Sequence, residues 1–200
     1  MSHPTENIDI SSDSVVAGAA NCPVCHCALE MRWHQDNIPY FGDVMEISTV
    51  CTCGFRYADT LILGQKEPTR HSMKVSTADH LCTRVIRSTS GTMRIPEWGV
   101  DIEPGPASEA FISNVEGILD RVERILLMAR KWAEKEEEVQ RADTLLGEIE
   151  AARDGKTCFT LVIEDPMGNS AIVDECVCIE QLTPEEAADL QTGMFIIQKQ

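Results

Sequence analysis

The chain carries CPVCHC at residues 22–27 and CTCG at residues 51–54. The two stretches supply four thiols in two close pairs: Cys22, Cys25, Cys51 and Cys53. A structural zinc ion takes four soft ligands in a tetrahedral arrangement, and two short cysteine turns on neighbouring hairpins deliver them with little backbone strain. We therefore expect one zinc ion, held by these four cysteines, to organise the N-terminal part of the chain.

The second cysteine pair departs from the usual spacing, because one residue separates Cys51 from Cys53 where a ribbon turn normally has two. In an extended segment, side chains two residues apart point to the same side, so both sulfurs can still reach one metal. Three other residues are alternative ligands: His26, Cys27 and His34. Of these, Cys27 is the main rival to Cys51. Buried or disulfide-bonded cysteines are the other interpretation, and the paired spacing followed by Gly54 argues against it.

Length and composition indicate an ordinary globular protein. The chain has 200 residues, 43% apolar and 25% charged, which suits one medium domain or two small ones. No apolar run approaches the roughly 20 residues that span a bilayer, and the N-terminus lacks a basic region followed by an apolar one. We expect a cytoplasmic protein without a membrane partner, whose nine cysteines are metal ligands and free thiols.

The charge balance argues against nucleic acid as the partner. The formal net charge is −16, from 17 basic and 33 acidic residues, whereas phosphate binding depends on Lys and Arg that release counterions. Arg84, Arg87 and Arg94 are the loose candidates for a basic stripe. The acidic surface either keeps the protein in solution or serves a basic partner, and the sequence leaves both alternatives open.

Changes in composition divide the chain into four parts. Short runs of β-type residues separated by turn residues occur at 71–75, 83–88, 92–95 and 100–102, and another run at 157–164 follows a helical region. This pattern is typical of an antiparallel barrel or sandwich. We expect a disordered segment at 1–20, a zinc ribbon at 21–57, a β domain at 58–175 with a helical hairpin inserted at about 108–154, and a C-terminal tail at 176–200. Within the tail, residues 183–186 predict the start of a short helix.

The inserted region has helical periodicity. Apolar residues recur at steps of four and three along residues 111–132, on one face of a helix that we expect to begin near Ser108. If the helix begins later, Ser113 and Glu116 can form a capping box. Further along, the same steps reach acidic residues at alternate positions, so the pattern predicts a second, antiparallel helix near 137–153. A coiled-coil dimerisation arm is the alternative.

An apolar tip lies between the two cysteine pairs. It consists of four consecutive residues that we expect to form a short extended piece: Ile38, Pro39, Tyr40 and Phe41. Because a zinc ribbon has few other residues to pack, these side chains are either its small core or a docking surface.

Motifs along most of the chain resemble the ZPR zinc-finger family. They are CPVC at 22–25, IPYF at 38–41, CGFR at 53–56 with Asp59, RVIRS at 84–88, IPE at 95–97, VEGIL at 115–119 and EDPMGNS at 164–170. In order, they cover residues 21 to about 173. The single-residue spacing of Cys51 and Cys53 is the one departure. The resemblance implies an α+β fold that is mainly β, with a four-cysteine zinc ribbon followed by a double-stranded β-helix bearing a helical hairpin.

The resemblance also implies a function. Eukaryotic members of the family, built from two such modules, bind translation elongation factor one-alpha and assist its folding. We therefore expect a zinc-binding protein-interaction module that binds this factor or acts as its folding chaperone, with Ile38, Pro39, Tyr40 and Phe41 as part of the binding surface. A zinc-ribbon nucleic-acid-binding protein in transcription or translation is the alternative.

The sequence does not favour an enzyme. Double-stranded β-helices that hold catalytic iron or manganese need closely spaced histidines with a carboxylate, and the β domain has only the isolated His71 and His80. We interpret both as surface or hydrogen-bonded core residues. Four cysteines remain: Cys82 and Cys158, which we expect to be small buried residues, and Cys176 and Cys178, which offer half of a second metal site without a matching pair.

Overall fold

The chain folds into two compact units that meet in sequence at Gly64 and Gln65. A computed structural model describes residues 14–105 and 108–192. The division lies after Gly64 rather than after residue 57, because the strand Arg56–Ile62 pairs along its whole length with the strand Gly42–Val50 of the N-terminal unit. The sequence boundary was therefore placed too early.

The N-terminal unit, which we call the ribbon, is one antiparallel sheet of four strands in sequence order. The strands are β1 (Ser14–Asn21), β2 (Ala28–Ile38), β3 (Gly42–Val50) and β4 (Arg56–Ile62). Among residues 20–64, few side chains are buried, chiefly Leu29, Phe41, Val44 and Ile47. So small a core supplies little of the free energy that a domain needs to offset its lost conformational entropy.

Two parts of the ribbon differ from the sequence prediction. Residues 14–20 belong to β1 and pair with β2, although they were expected to be disordered, and the rest of that prediction lies outside the described residues. The alanine-rich run has a weak intrinsic β preference, so pairing with a neighbour decides its conformation. Ile38 ends β2, and the following residues through Phe41 form the turn before β3 rather than an extended piece. Tyr40 in this turn has a φ of 76°.

The second unit is a jelly-roll domain of two antiparallel sheets. Its strands are β5 (Thr69–Val75), β6 (Arg84–Arg87), β7 (Thr92–Ile95), β8 (Val100–Ile102), β9 (Phe111–Asn114), β10 (Phe159–Asp165), β11 (Ala171–Val173) and β12 (Cys178–Gln181). One sheet has the order β12-β5-β10-β7-β8 and the other has the order β11-β6-β9. Two 3-10 turns, at Ala78–Cys82 and Pro96–Trp98, connect strands.

Two long helices, α1 (Val115–Trp132) and α2 (Glu136–Arg153), lie between β9 and β10 in the sequence. One apolar core combines residues of both sheets, such as Val85 and Leu161, with residues of both helices, such as Ile118 and Ile149. This arrangement confirms the predicted β domain with an inserted helical hairpin.

The first helix begins later than the sequence suggested. Phe111 lies in strand β9, and α1 begins at Val115 instead of near Ser108. The Asn114 side chain accepts a hydrogen bond from the Gly117 backbone N–H at 2.8 Å, so asparagine caps the helix and no Ser113-based capping box is needed. The helical spacing that includes Phe111 was misleading, because a strand residue that packs on the same core can lie at a helical spacing from the apolar residues of the helix.

The two helices are antiparallel, as their ion pairs show. Arg130 near the end of α1 pairs with Asp143 near the start of α2, and Arg153 at the end of α2 pairs with Asp120 near the start of α1. This geometry is the predicted hairpin, in place of a single coiled-coil rod.

Residues 176–192, the described part of the predicted C-terminal tail, belong to the β domain rather than to a separate tail. Strand β12 forms one edge of the five-stranded sheet, beside β5. A third helix, α3 (Pro184–Asp189), begins after a capping box formed by Thr183 and Glu186, as the sequence predicted. Arg70 of β5 ion-pairs with both Glu164 and Glu186, which ties this helix to the sheet.

Candidate metal centre

The first cysteine turn follows strand β1. The backbone N–H of Cys22 donates to the Cys27 carbonyl at 2.8 Å, and the N–H of His26 donates to the Cys22 carbonyl at 2.9 Å. These bonds close a loop around Cys25. His26 adopts a φ of 59°, in the left-handed region that costs an L-residue roughly 1–2 kcal/mol. The turn therefore accepts backbone strain at the residue directly after the second cysteine.

The second cysteine turn follows strand β3 and has the same plan. The N–H of Cys51 donates to the Phe55 carbonyl at 2.8 Å, and the N–H of Gly54 donates to the Cys51 carbonyl at 2.9 Å. Gly54, directly after Cys53, has a φ of 96°. The segment is thus a tight turn and not the extended segment that we had assumed, and the turn aims both sulfurs at the first loop.

The four sulfurs form one cluster. The Sγ atoms of Cys22 and Cys53 are 3.6 Å apart, and those of Cys25 and Cys51 are 3.4 Å apart. All four lie within 4.8 Å of one another. Tetrahedral zinc with bonds of about 2.3 Å requires sulfur separations of about 3.8 Å. The donor set and its dimensions therefore fit one zinc ion.

The cluster includes Cys51 and leaves out its rival. Cys27 is exposed and lies outside the group of sulfurs, and its carbonyl instead accepts the bond that closes the first turn. Cys22 and Cys51 are buried and pack with Leu29, while Phe55 contacts the same group. A small apolar wall thus shields one side of the cluster from water.

The sulfurs perturb one another's acidity. The backbone N–H of Cys53 and the Cys25 thiol both hydrogen-bond to the Cys51 sulfur, which lowers the pKa of Cys51 to about 6. The backbone N–H of Cys27 lowers the pKa of Cys25, but the Cys51 sulfur and burial outweigh it, so this pKa rises overall. One thiolate thus forms readily, and its negative charge disfavours ionisation of the neighbouring thiols. A cation is therefore needed before all four thiols ionise.

Four sulfur ligands complete a tetrahedron and leave no open position for water or substrate. Such a centre is structural. It would join the β1–β2 connection to the β3–β4 connection and hold the sheet at the end where the two cysteine turns meet. Zinc would supply a divalent charge and four directional bonds in a unit whose apolar core is small.

The apolar tip divides into core and surface. Phe41 is 6% exposed and belongs to the ribbon core. Ile38 is half-buried, while Pro39 and Tyr40 are exposed, with Tyr40 at 41%. Of the four residues expected at a binding surface, Phe41 is therefore unavailable in the folded ribbon, and Pro39 and Tyr40 can contact a partner.

The remaining cysteines do not build a second site. Within the two described ranges, the four-cysteine group is the one cluster suited to a metal ion. Cys176 and Cys178 are exposed, and so are Cys82 and Cys158, which we had expected to be buried. Cys82 ends a 3-10 turn and Cys158 immediately precedes β10, so both occupy connections at the surface rather than positions in the core.

The histidines and arginines that the sequence singled out have structural partners. The Nδ1 atoms of His71 and His80 accept hydrogen bonds from the backbone N–H groups of Ile172 and Ser76. Burial lowers the pKa of His71.

The proposed basic stripe is likewise dispersed. Arg87 is buried and donates to the Gly91 carbonyl and the Ser108 hydroxyl. Arg94 bridges Glu164 and Asp101. Of the three candidate arginines, two are therefore engaged inside the jelly-roll domain, which weakens the case for phosphate binding.

An exposed apolar stripe on α1 was missed by the sequence analysis. The first half of the helix buries Val115, Ile118 and Val122, as the periodicity predicted. In the second half, Ile125, Met128 and Trp132 are 51%, 51% and 72% exposed. Their spacing of three and seven residues places them on one face, and we call them the hairpin stripe. A continuous apolar period does not reveal where a helix extends beyond the core.

Within the part of the chain that the structure describes, we find no helix with the length and apolarity needed to cross a bilayer.

Family models match both units. One for the ZPR1 zinc-finger domain matches residues 15–61, and one for the ZPR1 jelly-roll domain matches residues 79–191. The chain is 45% identical over 183 residues to an uncharacterized ZPR1-like protein of Pyrococcus horikoshii, covering 88% of this chain and 82% of that protein. It is 42% identical over 180 residues to a ZPR1-like protein of Methanocaldococcus jannaschii, covering 88% and 91%.

More distant relatives are longer. The chain is 29% identical over 178 residues to the zinc finger chaperone zpr1 of Schizosaccharomyces pombe, covering 85% of this chain and 38% of that protein. It is 27% identical over 156 residues to the human zinc finger protein ZPR1, covering 76% of this chain and 34% of that protein. The match thus spans both units of this chain and about a third of each longer protein.

Proposed function

This chain belongs to the ZPR1 zinc-finger family, and on that premise we propose that it is a zinc-dependent protein-binding module that acts as a folding chaperone for translation elongation factor one-alpha. Its fission-yeast relative carries the name of a zinc finger chaperone. The choice of client follows from the family resemblance described above, and the chemistry of the exposed surface supports a protein client.

A folding chaperone of this kind needs no catalytic residue. It must bind the immature conformer of its client more tightly than the mature one, so that maturation releases it. The four-sulfur centre is closed to substrate, and the relatives described above are named as zinc finger proteins or as a chaperone. We infer that the protein works by binding alone.

The hairpin stripe is the observation that carries the proposal. An immature client exposes apolar surface that its mature form buries, and an exposed apolar stripe on a rigid helix is suited to bind it. Trp132 is the most exposed large apolar side chain of the described residues, and tryptophan is enriched among residues that dominate binding energy.

The charges beside the stripe favour a basic surface on the client. Residues 134–138, which connect the helices and begin α2, read EKEEE. Acidic groups around an apolar contact accelerate the encounter with a basic partner and disfavour acidic ones. The formal net charge of −16 adds to the same effect over longer distances.

The ribbon offers further apolar contacts. Tyr40 in the turn before β3, and Tyr57 and Leu61 on β4, are 41%, 47% and 45% exposed. Because the ribbon depends on the cysteine cluster for its fold, these side chains are arranged for binding only when zinc is bound. We therefore include Tyr40 in the client-binding surface, together with Pro39.

The test is capture of purified elongation factor one-alpha during its refolding from denaturant. Replacing Met128 and Trp132 together by alanine should weaken capture about tenfold or more, as expected when a dominant apolar contact is lost. The matched control is Ile179→Ala, which removes an exposed apolar side chain from strand β12. A third variant, Tyr40→Ala, tests the ribbon contribution separately.

All variants should retain one zinc ion per chain and the thermal stability of the wild type, because the substituted side chains are exposed. Capture equal to that of the wild type for both the double variant and Tyr40→Ala would contradict the proposal. Equal losses for Ile179→Ala would also contradict it, since binding would then follow general hydrophobicity rather than these surfaces.

A further inference from the structure

The jelly-roll domain contains a fully buried carboxylate that no part of the proposed function uses. Asp165, at the end of β10, has no exposed surface. Its carboxylate oxygens accept hydrogen bonds from the hydroxyls of Ser88, Ser90 and Ser170 at 2.7, 2.7 and 2.6 Å. A buried charge is costly unless it is paired or fully hydrogen-bonded, so this arrangement must contribute to the structure.

Two backbone donors complete the arrangement. The N–H groups of Met167 and Asn169 donate to the Asp165 carboxylate at 2.9 and 3.0 Å. Five donors therefore surround one carboxylate. Since two of them belong to the chain immediately following, the carboxylate holds the turn between β10 and β11 in one conformation. We call residues 165–170 the aspartate turn.

The aspartate turn is also pressed against the connection between β6 and β7. The N–H of Ser88 donates to the Ser170 hydroxyl oxygen at 2.9 Å. A Cβ atom on Gly91 would lie 2.5 Å from that same oxygen, so the connection requires glycine at this position. Through these contacts the segments RVIRS at 84–88 and EDPMGNS at 164–170 form two sides of one packed unit.

A catalytic role for this serine–aspartate group does not fit its environment. Ser88, Ser90 and Ser170 are at most 3% exposed, so a substrate cannot reach their hydroxyls. Each hydroxyl already donates a hydrogen bond to the carboxylate. The group therefore stabilises the aspartate turn, whose other side contacts residues 66 and 67.

The aspartate turn contacts the first residues of the jelly-roll domain. The N–H of Lys66 donates to the Met167 carbonyl at 2.9 Å. Gly168 has a φ of 65°, and a Cβ atom there would lie 2.2 Å from the Glu67 carbonyl oxygen and 2.9 Å from the Lys66 Cβ. The backbone of the two segments is therefore in direct contact at Gly168, which only glycine permits.

We propose that the aspartate turn is an anchor for the chain that enters the jelly-roll domain from the ribbon. It holds Lys66 and Glu67 on the domain surface before strand β5 begins at Thr69. The connection between the two units then ends at Gln65. The buried carboxylate gives the anchor its rigidity, and Gly168 gives it the close fit.

Limited trypsin digestion after Lys66 tests the anchor, because a protease needs the segment to detach before it can cleave. Gly168→Ala should increase the cleavage rate at this bond about tenfold or more, since cleavage follows the population of the detached segment. The matched control is Gly155→Ala. Gly155 has a φ of 68°, so alanine meets the same backbone strain there, but its nearest contact is an ordinary 3.7 Å.

The expected result is faster cleavage at Lys66 in Gly168→Ala alone, with the thermal unfolding transition of the jelly-roll domain retained. Cleavage of Gly168→Ala at the rate of Gly155→Ala would overturn the proposal. If Gly168→Ala fails to fold, amide hydrogen exchange of the wild type decides. An anchored Lys66 N–H should exchange at least about a hundredfold more slowly than in an unstructured peptide, and exchange at the peptide rate would overturn the proposal.

Discussion

The ribbon and the jelly-roll domain of this ZPR1-family chain are both mainly β, yet they are held together by different forces. Between residues 20 and 64, the ribbon buries a handful of apolar side chains, two of which are cysteines of the metal centre. The jelly-roll domain buries a continuous core drawn from both sheets and both helices. One unit therefore depends on metal–sulfur bonds and the other on apolar burial, and each should respond to its own perturbation.

The comparison has a functional side. A unit without a large core can expose much of its apolar surface for binding, provided that a metal holds its backbone in place. A unit with a full core can carry a helix that extends beyond it, as the hairpin stripe does. In the ribbon the exposed apolar residues depend on zinc, whereas in the jelly-roll domain they depend on packing.

The largest expected effect is loss of the metal. Cys51→Ser should leave the chain with no tightly bound zinc and an unfolded ribbon, because structural zinc contributes on the order of 10 kcal/mol to small zinc modules. The jelly-roll domain should keep its thermal transition. Metal analysis and two-dimensional NMR measure the two consequences. Cys27→Ser, which alters an exposed cysteine outside the cluster, should bind one zinc ion as the wild type does.

The reverse experiment weakens the other unit. Leu161 has no exposed surface and lies in the jelly-roll core. Leu161→Ala should lower the free energy of unfolding of this domain by about 2–5 kcal/mol, through lost burial and the cavity left behind. Denaturant titration measures it. Zinc content should stay at one ion per chain, and loss of zinc in this variant would show that the two units do not rely on separate forces.

A smaller effect distinguishes the two cysteine turns. Gly54→Ala should destabilise the zinc-bound ribbon by roughly 1–2 kcal/mol, since alanine is strained at a φ of 96° while the space around the position is open. His26→Gly should relieve strain in the first turn and bind zinc at least as tightly as the wild type. Competition with a chelator measures both affinities. Weaker binding by His26→Gly would mean that the His26 side chain contributes more than its backbone strain costs.

The smallest effect concerns the exposed ion pairs of the hairpin. Arg130 and Asp143 are each about half exposed, so water screens their attraction. Arg130→Ala should shift the midpoint of thermal unfolding by less than about 2 °C. A larger shift, suppressed by added salt, would show that charge pairing contributes substantially to a domain that we describe as held by burial.

The metal centre could be predicted from the sequence because its requirements are local. Four thiols in two close pairs already specify a tetrahedral site. Although the second pair is one residue shorter than usual, a turn closed at Gly54 still brings both of its sulfurs to the site. The structure also places Cys51 in the cluster, which the spacing alone left open against Cys27. What the sequence misjudged was the backbone, which is a turn where an extended segment was assumed.

The fold could be predicted where burial is periodic. Strands Thr92–Ile95 and Val100–Ile102 have the predicted bounds, and the loss of helical phase identified two helices. Strand β12 was missed because it is an edge strand with exposed side chains, and β1 was missed because pairing outweighs its weak preference. The hairpin stripe was missed because apolar periodicity shows which face of a helix is apolar, not whether anything covers it.

The most direct test of the proposed function is zinc-dependent capture of elongation factor one-alpha. The full chain, loaded with zinc or stripped of it by chelation, is presented with the refolding factor, and bound protein is quantified. We predict strong capture by the zinc-loaded chain. Capture should fall about tenfold or more after stripping, because the client then loses its contacts with the ribbon while the hairpin stripe alone remains, and it should be restored when zinc is returned. Failure of the correctly folded, zinc-loaded chain to capture the factor, or equal capture with and without zinc, would contradict a zinc-dependent chaperone of this client.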